Sequence, residues 1–251
     1  MRGLAGKRVL VTGSTRGIGW AAARRFLAEG AAVAIHGRTA QAVQSAISEM
    51  SRTTGGEITG HAADLLKRED CGKMIEACQD LDILVNCAGI LETASVEESD
   101  EALWHRVIEV NVTAPWRLAR GLLPALRQRR GTIVNVSSDA GLLGYARNSV
   151  YCASKGALIG LTRALAVELA PEVRVLCVCP GPVDTDMMRE AVAREDDPEA
   201  ARRSWASGPL LRRVATADEI AGAIAFAASD DCSFATGNLI VVDGGTTAGK
   251  G

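Results

Sequence analysis

The chain alternates short, continuous apolar runs with longer amphipathic segments. The short runs are rich in β-branched residues, and most are apolar on both faces, as expected of strands in a sheet that helices cover. They predict seven strands, over Arg8–Thr12, Ala32–His36, Ile58–Ala62, Ile83–Asn86, Thr132–Val136, Val173–Val178 and Leu239–Val242. Between them, apolar positions at helical spacing predict helices over Ile18–Glu29, Ala40–Met50, Arg68–Cys78, Glu101–Arg120, Ser149–Ala170 and Asp218–Ala228.

This alternation predicts the fold class. Repeated strand–helix–strand units favour right-handed crossovers and a parallel sheet. We therefore expect one α/β domain over residues 1–251, with a doubly wound Rossmann-type parallel sheet of about seven strands and helices on both faces. The segment Asp184–Pro209 breaks the alternation, since it is charged and has no strand pattern. We predict a substrate lid there, with a surface excursion without function as the alternative.

Composition narrows the class of protein. Of the 251 residues, 47% are hydrophobic and 23% charged, which is typical of a folded globular chain. The 28 Lys and Arg residues nearly balance 30 Asp and Glu, so we predict no nucleic-acid partner. No apolar run approaches the roughly 18 residues that span a bilayer, and we predict no membrane partner. The seven cysteines form no CxxC pair, which favours reduced thiols in the cytoplasm and no metal site.

A glycine-rich turn joins the first predicted strand to the first predicted helix. Gly13, Gly17 and Gly19 have the spacing Gly-x-x-x-Gly-x-Gly, which differs from the Gly-x-Gly-x-x-Gly dinucleotide fingerprint. Glycines at such a turn let the backbone approach a pyrophosphate, and the helix N-terminus favours its negative charge. Because glycine turns between strands and helices are common, the pattern alone is a weak signal.

Further motifs follow in a fixed order and make the signal specific. They are Asn86–Gly89, Asn111, Ser138, Tyr151 with Lys155, Pro180-Gly181 and Val242–Gly245. Together with Thr12–Gly19 they cover nearly the whole chain, which resembles the short-chain dehydrogenase/reductase family. The resemblance implies an oxidoreductase that moves a hydride between a nicotinamide dinucleotide and a carbonyl or secondary alcohol.

The resemblance also implies the catalytic residues. Tyr151 and Lys155 are four residues apart, so they share one face of a helix, and a nearby ammonium favours the tyrosinate. In the family the tyrosine is the general acid–base and the lysine holds the nicotinamide ribose. Ser138, thirteen residues before Tyr151, contacts the substrate oxygen, and Asn111 holds a water that serves the lysine. Without the resemblance, the residues alone favour a different interpretation. Tyr151 and Lys155 would be an ordinary surface pair, and Asn111 would be a polar contact between helices.

The residues after the second predicted strand bear on the cofactor. An acid there would bind the adenosine ribose and repel a 2′-phosphate, but this chain has Gly37-Arg38. Arg38, and Arg16 in the glycine turn, suit a phosphate because guanidinium groups stay charged and donate in a fork. We predict NADP(H), with NAD(H) as the alternative cofactor. Two solvated surface arginines are the other interpretation.

The resemblance supplies the remaining cofactor contacts. Asp64 and Leu65 are expected beside the adenine, and Val183 and Thr185 beside the nicotinamide carboxamide. The full predicted set is Gly13, Ser14, Thr15, Arg16, Gly17, Ile18, Gly19, Arg38, Asp64, Leu65, Asn86, Ala88, Gly89, Tyr151, Lys155, Pro180, Gly181, Val183 and Thr185. The histidines are scattered through separate segments, and we assign no catalytic role to His36, His61 or His105.

Substrate and assembly stay open at this level. One candidate substrate is a free small-molecule carbonyl or alcohol; the other is a 3-oxoacyl group on acyl-carrier protein. Arg127, Arg129 and Arg130 suit an acidic carrier, whereas Glu172 stands where carrier-dependent relatives often have a basic residue. A non-catalytic dinucleotide-binding regulator is the third hypothesis, although such a protein would be expected to lose Tyr151 or Lys155.

The long helices and the resemblance predict a homotetramer, with Leu239–Val242 and the tail beyond Gly245 forming a second interface.

Overall fold

The computed structural model describes residues 1–249 and confirms the fold class. Its single parallel sheet has the order β3-β2-β1-β4-β5-β6-β7. The strands are β1 (Arg8–Val11), β2 (Ala32–Gly37), β3 (Ile58–Ala62), β4 (Ile83–Asn86), β5 (Thr132–Val136), β6 (Arg174–Pro180) and β7 (Leu239–Val242). All seven predicted strands are present, with ends displaced by two residues at most.

Helices cover both faces of this sheet. They are α1 (Gly17–Ala28), α2 (Ala40–Thr53), α3 (Arg68–Ala77), α4 (Glu101–Ile108), α5 (Ala114–Arg129), α6 (Ser149–Leu169), α7 (Asp186–Val192), α8 (Pro198–Ser207) and α9 (Ala217–Ala228). Phe26, Met50 and Ile220 bring α1, α2 and α9 into one core cluster. Met74 and Leu122 bring α3 and α5 into a second cluster, so each face of the sheet has its own core.

A π-helical turn divides the predicted helix Glu101–Arg120. The turn spans Glu109–Thr113 and connects α4 directly to α5. Asn111 lies inside it and is buried. Single π turns inside helices are frequent at functional sites, because the extra residue redirects the side chains that follow. The apolar pattern predicted the helical segment but not this local change of pitch.

Helix α6 is apolar enough to raise the question of a membrane. Among the described residues it alone passes a test of length and composition for a membrane span, with mean hydropathy 1.2. A core helix of a globular protein passes the same test. Leu158 and Ile159 of α6 are buried, and Ile159 packs in a cluster with Cys177 and Cys179 of β6. Packing in the core therefore accounts for part of its apolar character.

Candidate active site

The crevice for a ligand lies where the strand order reverses. β1 pairs with β2 on one side and with β4 on the other, so the loops after β1 and β4 meet at the carboxyl edge of the sheet. The Thr12 hydroxyl accepts hydrogen bonds from the N–H groups of Cys87 and Ala88, each at 3.0 Å. Gly13 has a φ of +65°, and a Cβ there would lie 2.7 Å from the Ala88 Cα. The two loops thus approach as closely as a glycine permits.

The N-terminus of α1 opens into this crevice. No side chain caps the helix at Arg16, and its first turn contains no acidic residue. The turn folds tightly over the helix start, since a Cβ on Gly19 would lie 2.3 Å from the Gly13 carbonyl oxygen. Free N–H groups and the positive end of the helix dipole suit an anion. This geometry fits the pyrophosphate that the glycine spacing predicts.

Not every predicted residue of the turn presents its side chain to the crevice. Ser14 is fully buried; its hydroxyl donates to the Val11 carbonyl at 2.7 Å and accepts from the His36 N–H at 2.9 Å. The Ser14 N–H also donates to the His36 carbonyl at 2.9 Å, so Ser14 shapes the turn and leaves neither its hydroxyl nor its N–H for a ligand. Ile18, in contrast, lines the cavity beside the catalytic residues.

His36 fastens the glycine turn to the end of β3, a role that sequence reasoning missed. Its Nδ1 accepts from the Gly13 N–H at 3.0 Å, and its Nε2 lies 3.0 Å from the Ala63 carbonyl oxygen. These partners require the neutral ring with its proton on Nε2. Burial lowers the pKa of His36, which favours the same neutral form. The sequence offered one signal for this role of His36, because a histidine stands at the carboxyl end of the second predicted strand, the end of the sheet at which the glycine turn lies.

The two predicted phosphate-binding arginines differ in their surroundings. Gly37 packs against the glycine turn, since a Cβ on it would lie 2.4 Å from Thr15 Cγ2, and Arg38 follows directly. Arg38 is exposed and has no carboxylate partner within residues 1–249. Arg16 donates to Glu190 of α7 at 2.7 Å, and both side chains are at least half exposed. Such a surface pair is worth about 0–1 kcal/mol, so a phosphate can displace Glu190.

The loop after β3 and the end of β4 hold three more predicted cofactor residues. Asp64 accepts from the Leu66 N–H at 3.1 Å, which fixes its carboxylate at the loop, while Leu65 points into the core. Asn86 is buried, and its amide donates to Asn135 at 2.9 Å across β4 and β5. The Asn86 side chain therefore links two strands. Its amide oxygen has no hydrogen-bond partner in the described part of the chain.

The loop after β6 brings the predicted nicotinamide contacts over the start of α1. A Cβ on Gly181 would lie 2.7 Å from the Asp243 Cα, so this loop lies against the loop after β7. Thr185 caps α7 by accepting from the Met188 N–H at 3.4 Å. A Cβ on Gly17 would lie 3.4 Å from the Thr185 methyl carbon. Both halves of the predicted cofactor set therefore meet at one crevice, with Pro180, Gly181, Val183 and Thr185 lining its cavity.

Tyr151 and Ser138 line the same cavity, which has a volume of about 560 Å³. Lys155, one turn along α6 from Tyr151, is buried; its Nζ donates to the Val136 carbonyl at 3.0 Å. The Lys155 Nζ lies 5.6 Å from the centroid of the Tyr151 ring. Burial raises the pKa of Tyr151 and lowers the pKa of Lys155. We expected the ammonium to lower the tyrosine pKa, but desolvation of the phenolate dominates and outweighs even the hydrogen bond with Ser138, which lowers that pKa.

The two serines after β5 have separate roles. Ser137 is buried and donates to the Lys155 carbonyl at 2.8 Å, so it joins β5 to α6. Ser138 faces the cavity, as the family spacing predicted. Its hydroxyl donates to Asp139 Oδ1 at 2.9 Å and accepts from the Ala140 N–H at 3.1 Å. The serine that faces substrate is therefore already engaged by its own loop.

Asn111 supports the loop after β4 from the π-helical turn. Its amide oxygen accepts from the Ile90 N–H at 2.9 Å, and its amide nitrogen donates to the Ile90 carbonyl and to Ser154, each at 3.0 Å. A Cβ on Gly89 would lie 3.4 Å from both Asn111 Oδ1 and Lys155 Nζ. Asn111, Gly89 and Lys155 thus meet behind the cavity. Both N–H groups of the Asn111 amide are used, so a water at Asn111 can be held only through an acceptor, its backbone carbonyl or the second lone pair of its amide oxygen.

Known proteins share this architecture and these motifs. A family model described as Enoyl-(Acyl carrier protein) reductase matches residues 13–247. A solved structure described as a short chain dehydrogenase/reductase family protein has 38% sequence identity and a TM-score of 0.88, and the match covers 98% of this chain and 99% of that chain. The chain belongs to the short-chain dehydrogenase/reductase family.

Other members of the short-chain dehydrogenase/reductase family match over similar lengths. An uncharacterized oxidoreductase of Thermotoga maritima is 39% identical over 247 residues, covering 97% of this chain and 98% of the relative. The 3-oxoacyl-[acyl-carrier-protein] reductase FabG of Chlamydia trachomatis is 34% identical over 248 residues, covering 96% and 98%. A structure from Beutenbergia cavernae, described as a "putative NAD(P) dependent gluconate 5-dehydrogenase" with NADP bound at low occupancy, has 34% identity, a TM-score of 0.92 and 98% coverage of both chains.

Within this family member, the structure adds two residues to the site that sequence reasoning missed. Asp139 is only 6% exposed and accepts from Ser138 with one oxygen. Its other oxygen accepts from the Tyr145 hydroxyl at 2.8 Å, and both residues line the cavity. Burial raises the pKa of Asp139. An acid directly after the predicted serine was a visible signal, but its partner Tyr145 lies across a loop. No group of metal-ligating side chains occurs within residues 1–249.

Proposed function

We propose that this oxidoreductase uses NADP(H) to interconvert a carbonyl and a secondary alcohol at Tyr151. The observation that carries the proposal is the convergence of Tyr151, Ser138 and buried Lys155 at one end of the crevice that the glycine turn opens. Family membership supports the reaction class. The regulator hypothesis is disfavoured because both Tyr151 and Lys155 are present and placed together.

The residues of the crevice fit the cofactor. The uncapped start of α1 would hold the pyrophosphate, and Arg38 with Arg16 would hold the 2′-phosphate. Asp64 and the backbone of Leu65, whose side chain is buried in the core, would border the adenine. Val183 and Thr185, which line the cavity, would contact the nicotinamide carboxamide, and Lys155 would hold its ribose. The solved relative with bound NADP supports this choice, and NAD(H) is the alternative. When bound, the cofactor supplies the hydride that reaches the carbonyl carbon.

The chain's own residues handle the proton. In reduction, Tyr151 donates its hydroxyl proton to the carbonyl oxygen as negative charge develops there, and the alcohol forms. Lys155 stabilises the resulting phenolate and returns a proton from water held at Asn111. Ser138 holds the substrate oxygen. Burial raises the pKa of Tyr151, which favours the phenol form that donates its proton in reduction.

The segment Asp184–Pro209 is proposed as the substrate lid. It forms α7 and α8, and its Met188 and Trp205 line the cavity. The Arg16–Glu190 ion pair ties α7 to the glycine turn. A phosphate that draws Arg16 away from Glu190 would therefore act on the lid as well.

The FabG relative supports the alternative that the substrate is carried by acyl-carrier protein. The position of the arginines proposed to dock that carrier does not support it. Arg129 and Arg130 directly precede β5, whereas Ser138 follows it. They therefore lie at opposite edges of the sheet, about 15 Å apart for a strand of this length. Arg129 is also paired with Asp80. A carrier docked at these arginines would have to reach its substrate along the length of β5, so we favour a free small-molecule carbonyl.

A substrate panel tests the proposed function. It contains cyclohexanone, acetoin, 5-ketogluconate and the acetoacetyl thioester of N-acetylcysteamine, each with the purified chain and NADPH. We expect loss of nicotinamide absorbance with at least one carbonyl. Turnover of the thioester alone would favour the acyl-carrier alternative, and NADPH binding without turnover of any carbonyl would favour the regulator.

Replacement of His36 is expected to change cofactor binding selectively. His36→Leu leaves the Gly13 N–H without its acceptor, a loss of about 1–3 kcal/mol, so NADPH affinity should fall about tenfold. His36→Asn can still accept from Gly13 through its amide oxygen and should stay within about threefold of the unmodified protein. Calorimetric titration of NADPH, beside kcat at saturating NADPH, measures both effects.

The contrast between the two His36 variants decides its role. If both lose affinity equally while kcat also falls, His36 is a general structural residue and not an anchor of the glycine turn. Protonation of the ring would set two N–H groups against each other at Gly13. NADPH affinity should therefore fall at low pH only below the His36 pKa, which burial lowers.

We propose a cytoplasmic homotetramer. An exposed stripe of small and apolar residues runs along α6, formed by Ala153, Ala157, Gly160, Ala164 and Val167. Val167 is 83% exposed, and Trp116 of α5 is 42% exposed. All seven cysteines are free, in keeping with a reducing compartment. The predicted second interface at β7 includes Lys250 and Gly251, which lie outside the described residues.

Light scattering at micromolar concentration tests the assembly. We expect a mass of four chains, and a smaller assembly for Ala157→Arg, because an arginine in the α6 stripe would be buried without a partner at the interface. Arg24→Glu, on the exposed side of α1, is the matched control and should leave the mass unchanged. A monomer mass for the unmodified chain would contradict the proposed assembly.

A further inference from the structure

The hydrogen-bonding capacity of Ser138 is almost fully used by its own loop. A serine hydroxyl has one proton to donate and two lone pairs to accept with. The proton points to Asp139 Oδ1 at 2.9 Å, and the Ala140 N–H occupies one lone pair at 3.1 Å. One lone pair remains on the cavity side, where Tyr151 also lies close enough to hydrogen-bond with Ser138. In this arrangement Ser138 can accept from the O–H of an alcohol but cannot donate to a carbonyl oxygen.

The charge of Asp139 dictates that arrangement. An ionised carboxylate is only an acceptor, so both hydroxyl groups next to it must donate. They do so from opposite sides, Ser138 to Oδ1 and Tyr145 to Oδ2 at 2.8 Å. A protonated Asp139 would carry a hydrogen of its own. It could then donate to Ser138, whose proton would be free to turn toward a carbonyl oxygen in the cavity.

We propose that Asp139 is a positioning residue whose protonation sets Ser138 as acceptor or donor and so selects between the alcohol and carbonyl forms of the substrate. The inference rests on the proposed function and assigns a regulation to the same site. Ionised Asp139 favours alcohol binding, and protonated Asp139 favours carbonyl binding. Tyr145 has a second effect, because its hydrogen bond stabilises the ionised form.

The groups around Asp139 place this change above the ordinary range of an aspartate. Burial and the negative charge of Asp243, after β7, raise the pKa of Asp139, and the hydrogen bonds from Tyr145 and Ser138 lower it to a lesser extent. Tyr151 of α6 and Cys179 of β6 also sense its charge. Burial raises the pKa of Tyr151, and the hydrogen bond with Cys177 together with burial raises the pKa of Cys179, so both side chains are neutral beside Asp139.

Dead-end complexes isolate the effect from hydride transfer. The ketone is titrated against the protein with NADP⁺, and its alcohol against the protein with NADPH, so that no reaction follows. The probes are the ketone of the substrate panel that turns over fastest and its own alcohol, for example cyclohexanone with cyclohexanol or acetoin with 2,3-butanediol. The quantity measured at each pH is the ratio of the two dissociation constants, ketone over alcohol.

For the unmodified protein we expect this ratio to rise about two- to tenfold from low to high pH, the worth of one hydrogen bond. Asp139→Asn cannot ionise, so its ratio should not change with pH. Tyr145→Phe removes a bond that favours the carboxylate, so the change should keep its size and move to higher pH. Ser138→Ala is the matched control: Tyr151 remains, but the ratio should become independent of pH.

Two results would overturn the inference. One is a ratio for the unmodified protein that does not change with pH, whatever the variants do. The other is a pH dependence that persists in Ser138→Ala, which would assign it to Tyr151. Failure of the proposed function is distinguishable, because then no ketone of the panel turns over at all. Turnover combined with a flat ratio would remove the role of Asp139 and leave the proposed reaction intact.

Discussion

Tyr151→Phe is expected to slow hydride transfer by about 10²- to 10⁴-fold, the usual contribution of a positioned general acid–base. The substitution keeps the ring and its packing and removes only the hydroxyl that lines the cavity. NADPH affinity should barely change, since the glycine turn, Arg38 and Asp64 lie elsewhere in the crevice. Single-turnover kinetics beside NADPH titration of the same variant measure the two quantities separately.

Lys155→Ala provides the comparison for this result. Lys155 is assigned two roles, so its loss should lower both the rate and the affinity for the nicotinamide half of the cofactor. It is also buried against Val136, so its thermal unfolding must be measured in parallel. A Tyr151→Phe variant that retains most of its rate would refute the mechanism, whatever Lys155→Ala does.

Arg38→Asp is expected to weaken NADPH binding about 10- to 150-fold while leaving NADH nearly unaffected. A charge-assisted contact to the 2′-phosphate is worth about 1.5–3 kcal/mol, and an aspartate there also repels the phosphate. Arg38 is exposed beside the glycine turn without a carboxylate partner in residues 1–249, so the substitution disturbs no ion pair there. Fluorescence titration with each cofactor measures the selectivity.

Two further variants serve as comparisons for the Arg38→Asp titration. Arg16→Gln should weaken NADPH binding less than Arg38→Asp does. Arg16 must give up its ion pair with Glu190 to bind the phosphate, so its net contribution to binding is only the difference between the two interactions. Arg24→Asp alters the net charge equally on the exposed side of α1 and should leave both affinities unchanged. Equal affinity of the unmodified protein for NADPH and NADH would contradict the assignment of Arg38.

The fold was predictable because its signals are local. Continuous apolar runs identify most of the strands, although β3 is a mixed, partly exposed segment, and helical spacing identifies the helices that bury one face. Helices α7 and α8 escaped prediction because they bury almost nothing; α8 has no buried residue. The π-helical turn at Asn111 also has no signature in the apolar pattern, since one extra residue in a turn leaves the helix before and after it amphipathic.

The site was predictable only as far as its motifs are contiguous in sequence. The turn at Gly13, the Tyr151–Lys155 pair and Ser138 could be located from their order and spacing. Their tertiary partners could not: His36 reaches Gly13 across 23 residues, and Arg16 reaches Glu190 across 174. The direction of the Tyr151 pKa shift also depends on burial, which a linear sequence does not contain.

Transfer of a deuterium label from nicotinamide to substrate tests directly whether this chain catalyses hydride transfer with Tyr151 as its general acid–base. The chain is incubated with NADPH carrying deuterium at C4 of the nicotinamide and with the fastest ketone of the panel, and the alcohol is analysed by mass spectrometry. For the unmodified protein we predict deuterium at the carbinol carbon of the alcohol. We predict that Tyr151→Phe lowers the rate of this transfer at least about a hundredfold. Binding of the labelled NADPH with no deuterium in any alcohol product, or transfer that Tyr151→Phe leaves unchanged, would contradict it.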